Sequence, residues 1–331
     1  MKPIIKLKFV DFFSSFDKTN NEFLDVLREQ YEVIQTDNPD YIIYSVFGYE
    51  HLHYDCIRIF YTGECITPDF NECDYAIGFD RLQFGDRYVR IPLYNLFQYK
   101  TAYQKLINRP VFSREELRSK KGFCNFVYSN CFAQDLRTEI FEKLSQYKQV
   151  DSGGRYRNNI GGAVVDKYAF QSLYKFSIAF ENASYDGYVT EKIMEAFAAR
   201  TIPIYYGDPR IAEDFNPKAF INVHDYASLD DVIKQIEIID QNEDLYLTII
   251  NEPVVNPNLK LDSLHDFLSH IVEQPLSNCA RRPHSIPSKA QEAMKLRHEF
   301  YETYIYQNYR KLQNQIIRAR RGTLLSRKRT K

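Results

Sequence analysis

The sequence lacks several of the patterns that would assign a function directly. Its 331 residues include no tryptophan, and 43 Lys and Arg side chains nearly balance 44 Asp and Glu side chains, leaving a formal net charge of −1. A balance this close to zero indicates no general attraction to nucleic acid. No segment approaches the roughly 18 apolar residues of a membrane span, and the first apolar run is too short and too charged for a signal peptide. We therefore expect a soluble, cytoplasmic protein.

Cysteine spacing and phosphate-binding motifs give further exclusions. None of the six cysteines forms a C-x-x-C pair, so a zinc site has little support, and we expect free thiols in a reducing compartment. The chain has no G-x-G-x-x-G and no G-x-x-x-x-G-K-[ST]. It also has no Asp-x-Asp, a pair that commonly holds a metal against a nucleotide-sugar diphosphate. A diphosphate site here would therefore use cationic side chains and backbone N–H groups, and we expect no obligatory metal or cofactor.

Aromatic residues are abundant, with 26 Tyr and 24 Phe making up 15% of the chain. Tyrosine offers an apolar face and a hydroxyl, which suits sugar binding. An AT-rich genome would produce the same bias, so both explanations stay open.

Apolar periodicity divides the chain into two sets of alternating strands and helices. In the first set, residues 4–12 and two continuous apolar runs at 41–48 and 56–64 have the pattern of buried parallel strands. The segment 20–31 predicts an amphipathic helix with Phe23, Leu24 and Leu27 on one face. This alternation of strands and a helix indicates a Rossmann-like sheet.

A second set follows a polar crossover at about 101–121. Strands are predicted at 123–130, 174–182 and 201–207, with a helix at 134–147 and another from Thr190. We predict an N-terminal domain at 1–120, a C-terminal domain at 121–287, and a helix with a basic tail at 288–331.

The C-terminal segment 288–331 begins with a capping-box pattern at Ser288–Gln291 and continues as a helix through Met294, Tyr304, Ile305 and Ile316. The last residues, 318–331, carry many Lys and Arg and no acid. A solvated tail and weak contact with an anionic membrane surface are both open, the latter implying peripheral association at the inner face. No nucleic-acid-binding module accompanies the tail, so we expect no nucleic-acid partner.

The segment 180–207, FENASYDGYVTEKIMEAFAARTIPIYYG, concentrates polar groups where a helix begins. Thr190 is a good N-cap residue, and Glu191 and Lys192 occupy the first turn. The unpaired N–H groups and the positive dipole end of such a helix favour a phosphate. Arg137, Arg155, Arg157 and Lys192 are the candidate cations for a diphosphate, whereas Glu191 could accept hydrogen bonds from sugar or ribose hydroxyls. Read alone, Thr-Glu-Lys opens many helices without function.

Three stretches resemble the α-1,3-fucosyltransferases of glycosyltransferase family 10, especially the bacterial members. These are the segment just described, extended to 209, together with 60–94 and 211–226. The resemblance implies an α/β protein of GT-B fold, with two facing Rossmann-like domains and a cleft between them. It implies GDP-fucose as donor and a galactosyl-N-acetylglucosamine type of acceptor, giving an α-1,3 linkage of Lewis x type.

The resemblance also implies site residues. The general base falls on Glu64, in YTGE, and the diphosphate arginine on Arg137, in DLRTEIF. The other donor-site positions are Asn182, Tyr188, Glu191 and Lys192. Inverting transfer needs one base, and a carboxylate serves best if burial raises its pKa.

Alternatives remain within this resemblance. A dual α-1,3/1,4 enzyme, an enzyme using another nucleotide sugar, and a non-catalytic glycan-binding protein on the same fold would each fit the composition. The retained Glu64 and Thr-Glu-Lys motifs favour an enzyme, because pure binding requires no base beside a nucleotide site.

Overall fold

The computed structural model describes residues 2–96, 99, 103, 106, 109–133, 135–301, 309–317 and 319. Tyr304 and Ile305 of the predicted C-terminal helix, and all but Ala319 of the basic tail 318–331, lie outside the described residues. The described helices are too short or too polar to cross a membrane.

The first sheet contains six parallel strands in the order β2-β1-β3-β4-β5-β6. The strands are β1 (Ile4–Val10), β2 (Glu32–Gln35), β3 (Tyr41–Tyr44), β4 (Ile57–Tyr61), β5 (Tyr75–Gly78) and β6 (Tyr88–Arg90). The helix α1 (Glu22–Gln30) connects β1 to β2 and buries the predicted residues Phe23, Leu24 and Leu27. The strand order reverses direction between β1 and β3, so the carboxyl ends of these two strands form a topological switch point.

The second sheet contains five parallel strands in the order β11-β10-β9-β7-β8. The strands are β7 (Gly122–Phe126), β8 (Val150–Ser152), β9 (Tyr174–Phe180), β10 (Ile202–Tyr206) and β11 (Ile221–Asn222). The helices before β11 are α2 (Arg114–Ser119), α3 (Leu136–Tyr147), α4 (Lys167–Gln171) and α5 (Glu191–Ala198). Its switch point lies between β7 and β9. Two parallel sheets facing each other confirm the predicted α/β, GT-B arrangement.

The remaining helices are α6 (Leu229–Gln241), α7 (Glu243–Asn251), α8 (Leu264–Val272), α9 (Leu276–Cys279) and α10 (Ile286–Tyr301). Helices α6 and α7 bury apolar side chains in the core of the second sheet. In contrast, Leu264, Phe267, Leu268 and Ile271 of α8 join the core of the first sheet, where they pack with α1. The chain therefore returns to the first sheet after completing the second. The predicted boundaries at 120 and 287 stay a prediction.

The start of α10 differs from the predicted capping box at Ser288. The helix begins at Ile286, and the Ser285 hydroxyl accepts from the Ser288 backbone N–H at 3.3 Å. The Ser288 hydroxyl instead donates to the Pro283 carbonyl at 3.0 Å. Arg58 of β4 pairs with Glu292 of α10 at 2.7 Å, which fixes the helix to the first sheet.

A buried histidine connects the loops after β1 and β3. Asp11 accepts from the His51 backbone N–H at 2.9 Å and lies 2.6 Å from the His51 ring nitrogen Nδ1. Glu72 lies 3.7 Å from the other ring nitrogen. Burial alone would lower the pKa of His51, but the hydrogen bond to Asp11 and the nearby negative charge of Glu72 raise it above its ordinary value. The folded protein thus favours a charged His51.

Replacing this histidine is expected to remove a pH-dependent part of the stability. An unfolded histidine titrates near about pH 6.5, so the pair contributes fully below that pH and its contribution is lost as pH rises through the higher folded pKa. His51→Gln should lower the free energy of unfolding by about 3 kcal/mol near pH 6 and by less at alkaline pH, measured by urea denaturation. The matched control is His53→Gln, at an exposed position in the same turn. An equal loss at both pH values would contradict the charged pair.

Candidate functional site

A cavity of about 520 Å³ lies at the switch point of the second sheet and reaches the first. Its wall includes residues that follow β7, β8 and β9, together with Gly63, Glu64 and Leu93 from the N-terminal half. We call it the central cavity. All six predicted site residues line it: Glu64, Arg137, Asn182, Tyr188, Glu191 and Lys192. Its position agrees with the rule that open α/β sheets bind ligands outside the carboxyl ends of strands.

A buried ion pair organises the start of α5. The Glu181 side chain, which is 0% exposed, lies 2.8 Å from the Lys192 ammonium. The same carboxylate accepts from the Thr190 backbone N–H at 2.8 Å and from the Thr190 hydroxyl at 2.7 Å. Burial opposes a charge on Lys192, but Glu181 and Glu191 outweigh that penalty and raise its pKa. Lys192 is therefore a charged group held at a fixed position on the cavity wall.

Thr190 occupies the predicted N-cap position, but its side chain does not cap the helix. The hydroxyl donates to Glu181, and no side-chain capping bond to α5 is formed. The first backbone N–H groups of α5 consequently have no side-chain partner from Thr190. Glu191 enters the same region, where burial opposes ionisation but Lys192 and Lys167 hold its pKa below the ordinary value.

Arg137 is the most unusual cation in the cavity. The residue is 2% exposed, and its Nη2 donates to the Phe180 carbonyl at 2.8 Å and to Asn182 Oδ1 at 2.9 Å. Its guanidinium also lies over the Tyr128 ring, 4.2 Å from the centroid. The Nε and Nη1 atoms are buried without a hydrogen-bond partner, and no described acidic side chain forms an ion pair with Arg137. A buried charge with unused donors is costly unless an anion binds there.

Asn182 and Tyr188 also line the central cavity. Asn182 orients the Arg137 guanidinium through the hydrogen bond already described. Tyr188 is buried, and its ring packs edge-on against Phe79, with centroids 5.0 Å apart. Its side chain therefore contacts the N-terminal half while lining the central cavity.

Glu64 follows β4 at the carboxyl end of the strand, as predicted. Its backbone N–H donates to the Thr62 hydroxyl at 2.9 Å, which fixes the turn. The residue is exposed, so the protein around it does not provide the burial that would favour a base. Glu64 also lines a second cavity of about 380 Å³, which we call the aromatic cavity. Its wall includes Phe13, Phe16, Phe47, Tyr61 and Tyr99.

Two further arginines that the sequence offered as diphosphate cations do not line the central cavity. Arg155 is exposed, and Arg157 pairs with Glu142 at 2.7 Å.

Conversely, sequence reasoning did not assign Glu181, Lys167 or Tyr128 to the site. Glu181 stands in the quoted FEN motif, so its carboxylate could have been recognised as the partner of Lys192. No sequence signal links Tyr128 to Arg137. Among the described residues, no group of three His, Cys, Asp or Glu side chains is arranged to hold a metal.

Two family models match most of this chain. Residues 7–97 match the model of the α-(1,3)-fucosyltransferase FucT N-terminal domain, and residues 117–251 match glycosyltransferase family 10 (fucosyltransferase), C-terminal part. The chain belongs to glycosyltransferase family 10. It is 38% identical over 287 residues to the α-(1,3)-fucosyltransferase FucT of Helicobacter pylori, a match that covers 76% of this chain and 59% of that protein.

Two solved structures extend the family 10 assignment to three dimensions. A crystal structure of an α1,3-fucosyltransferase with GDP is 30% identical, with a TM-score of 0.70, and covers 85% of this chain and 94% of that one. A structure of an α1,3-fucosyltransferase with GDP-fucose is 29% identical, with a TM-score of 0.71, covering 86% and 94%.

Loss of the Glu181 charge is expected to destabilise this family 10 protein strongly. In Glu181→Gln the buried Lys192 ammonium loses its nearest counter-charge, so the free energy of unfolding should fall by about 3 kcal/mol in urea denaturation. Adding Lys192→Met should recover part of the loss, because the unpaired charge disappears. The control is Asp231→Asn, which breaks the exposed pair with Lys234 and should change stability little. A stable Glu181→Gln variant would refute the pair's role.

Proposed function

We propose that the protein is an inverting α-1,3-fucosyltransferase. It transfers L-fucose from GDP-β-L-fucose to the GlcNAc hydroxyl of a galactosyl-N-acetylglucosamine acceptor, giving a Lewis x type glycan. The observation that carries the proposal is the buried Arg137, which has two nitrogen atoms without partners in the wall of the central cavity. Relatives crystallised with GDP and with GDP-fucose support the choice of nucleotide.

The diphosphate of the donor is the anion that Arg137 requires. Arg137 and Lys192 supply two fixed positive charges, and α5 adds the backbone N–H groups that Thr190 does not cap. Such preorganised donors stabilise the charge that grows on GDP as the bond to fucose breaks. Glu191 accepts hydrogen bonds from fucose or ribose hydroxyls and so holds the donor in position.

Glu64 is the base, and the aromatic cavity receives the acceptor. The two cavities share Gly63, Glu64 and Leu93, so a group bound in one meets a group bound in the other at this carboxylate. The aromatic side chains of the second cavity suit the apolar faces of sugar rings. The acceptor oxygen bonds to the anomeric carbon, the bond from that carbon to the phosphate oxygen breaks, and Glu64 takes the hydroxyl proton. A single displacement converts the β-linked donor into an α-linked product.

Two alternatives are separated by products. A dual-linkage enzyme would also fucosylate a type 1 disaccharide, in which the GlcNAc 3-hydroxyl is already occupied, and thereby form an α-1,4 linkage. A glycan-binding protein would release no GDP with any acceptor. The partnerless donors of Arg137 favour an enzyme, because glycan recognition alone requires no buried cation without a counter-charge.

Replacing Arg137 is expected to separate binding from stability. Arg137→Met should raise the Kd for GDP about 30-fold in isothermal titration calorimetry, since it removes charge-assisted hydrogen bonds. It should keep or increase the midpoint of thermal unfolding, because a buried charge without a counter-ion is removed. Arg155→Met, at an exposed position outside the cavity, is the matched control. Equal affinities for GDP in the wild type and Arg137→Met would contradict the proposed site.

Replacing Glu64 is expected to abolish transfer and spare the nucleotide. Glu64→Gln should show no formation of fucosylated disaccharide by mass spectrometry, while its Kd for GDP stays at the wild-type value. Proton NMR of the wild-type product reports the α configuration that inversion requires. Glu139→Gln, an exposed glutamate outside both cavities, should transfer normally. Loss of GDP binding in Glu64→Gln would assign Glu64 to the donor instead.

A further inference from the structure

The loop 181–190, which precedes α5, rests directly on the N-terminal half of the protein. Gly187 has a positive φ of 80°, and a Cβ atom at this position would lie 2.5 Å from the Phe79 carbonyl oxygen and 3.3 Å from Asp80 Cα. Only glycine permits such close approach in this conformation. The rings of Tyr185 and Tyr188 both pack edge-on against Phe79, at 6.0 and 5.0 Å. Phe79 and Asp80, which follow β5, therefore form a surface that supports the loop, and we call this surface the platform.

Arg81 follows this platform and extends into a group of acids from the C-terminal half. Its side chain is 9% exposed, and its Nη1 lies 2.6 Å from Asp208 Oδ2, on a side chain that is 0% exposed. Its Nη2 lies 3.2 Å from Asp214, and its Nη1 lies 3.3 Å from Asp186 in the loop. The Nε atom adds a 2.9 Å contact with Glu213. One guanidinium thus joins the two halves through four carboxylates.

Asp208 transmits this contact to the backbone of the loop. While Oδ2 pairs with Arg81, Oδ1 accepts from the Gly187 N–H at 3.0 Å. Gly187 immediately precedes Tyr188, and the chain then enters Thr190 and the first turn of α5. Asp208 is itself held by the hydrogen bond that the Tyr205 hydroxyl accepts from the Asp208 backbone N–H at 2.9 Å. Arg81 is therefore connected to the loop beside the central cavity through two contacts, its ion pair with Asp208 and the hydrogen bond that Asp208 accepts from the Gly187 N–H.

We propose that Arg81 is a positioning residue for the donor nucleotide: acting through Asp208 and Gly187, it holds the 181–190 loop in the conformation that places Tyr188 and the start of α5 against the central cavity. The inference rests on the proposed function, since the nucleotide is assigned to that cavity. It makes the acceptor-side half of the protein a determinant of donor affinity, although Arg81 does not line the central cavity.

A lysine cannot replace Arg81, because a single ammonium cannot contact the separated carboxylates that the planar guanidinium joins. Asp208→Asn keeps an oxygen for the Gly187 N–H and removes the charge that faces Arg81. The two variants thus break the same contact from opposite sides. Arg282 provides a matched control, because it is also buried and paired with Asp74, a side chain that is 0% exposed. Arg282 lies outside the loop contact and outside both cavities.

The test measures GDP affinity by calorimetry and hydrogen–deuterium exchange of the loop without nucleotide. Arg81→Lys and Asp208→Asn are each expected to raise the Kd for GDP about tenfold and to speed exchange at Gly187 and Tyr188. The double variant should bind GDP no more weakly than the weaker of the two single variants, because both substitutions remove the same contact. Arg282→Lys should lower the thermal midpoint, yet keep wild-type GDP affinity and loop exchange. In the double variant Arg81→Lys/Arg282→Lys, the losses of stability measured for the two single variants should add.

The proposal is overturned if Arg81→Lys and Asp208→Asn lose thermal stability as Arg282→Lys does, while their GDP affinity and loop exchange stay at wild-type values. If either Arg81→Lys or Asp208→Asn fails to fold, the other variant alone tests the proposal. A wild-type protein that does not bind GDP would overturn the proposed function instead, and exchange of the loop would still report whether Arg81 holds it.

Discussion

The ion pair between Glu181 and Lys192 is the interaction on which the rest of the site depends. The pair lies at the end of β9 and the start of α5, and it keeps a charged ammonium at the wall of a cavity where burial alone would remove the charge. The same carboxylate takes the Thr190 hydroxyl, leaving the first N–H groups of the helix without that cap. Gly207 is required beside it, since a Cβ there would lie 2.5 Å from Glu181 Cγ. The fold of this region and the proposed anion site thus depend on the same carboxylate.

The proposed function depends on the position of the two switch points, one in each sheet. The central cavity lies at the reversal between β7 and β9, and the aromatic cavity at the reversal between β1 and β3. Because the two cavities meet at Gly63 and Glu64, a donor and an acceptor bound as we propose would reach one carboxylate from opposite sides. Arg81 and the Gly187 contact join the two halves, so the relative position of the halves shapes the proposed site.

Much of this was predictable because local patterns and the buried face agree. The apolar spacing of α1, the strands and the helix after Thr190 predicted the two sheets, and the resemblance to family 10 supplied the six residues that line one cavity. Contacts between distant segments were not predictable. The hydroxyl of Thr190 serves Glu181 rather than α5, Arg157 pairs with Glu142, and α8 packs on α1 instead of its own sheet. Each depends on tertiary neighbours, which a local pattern does not encode.

We propose that Arg137, Lys192 and the start of α5 neutralise the diphosphate of GDP without a divalent ion. Calorimetric titration of the wild-type protein with GDP, once in excess EDTA and once in excess magnesium or manganese chloride, measures whether an ion is needed. We expect Kd values that agree within about twofold, a difference of less than about 0.5 kcal/mol. Binding that disappears in EDTA and returns with the metal would contradict it.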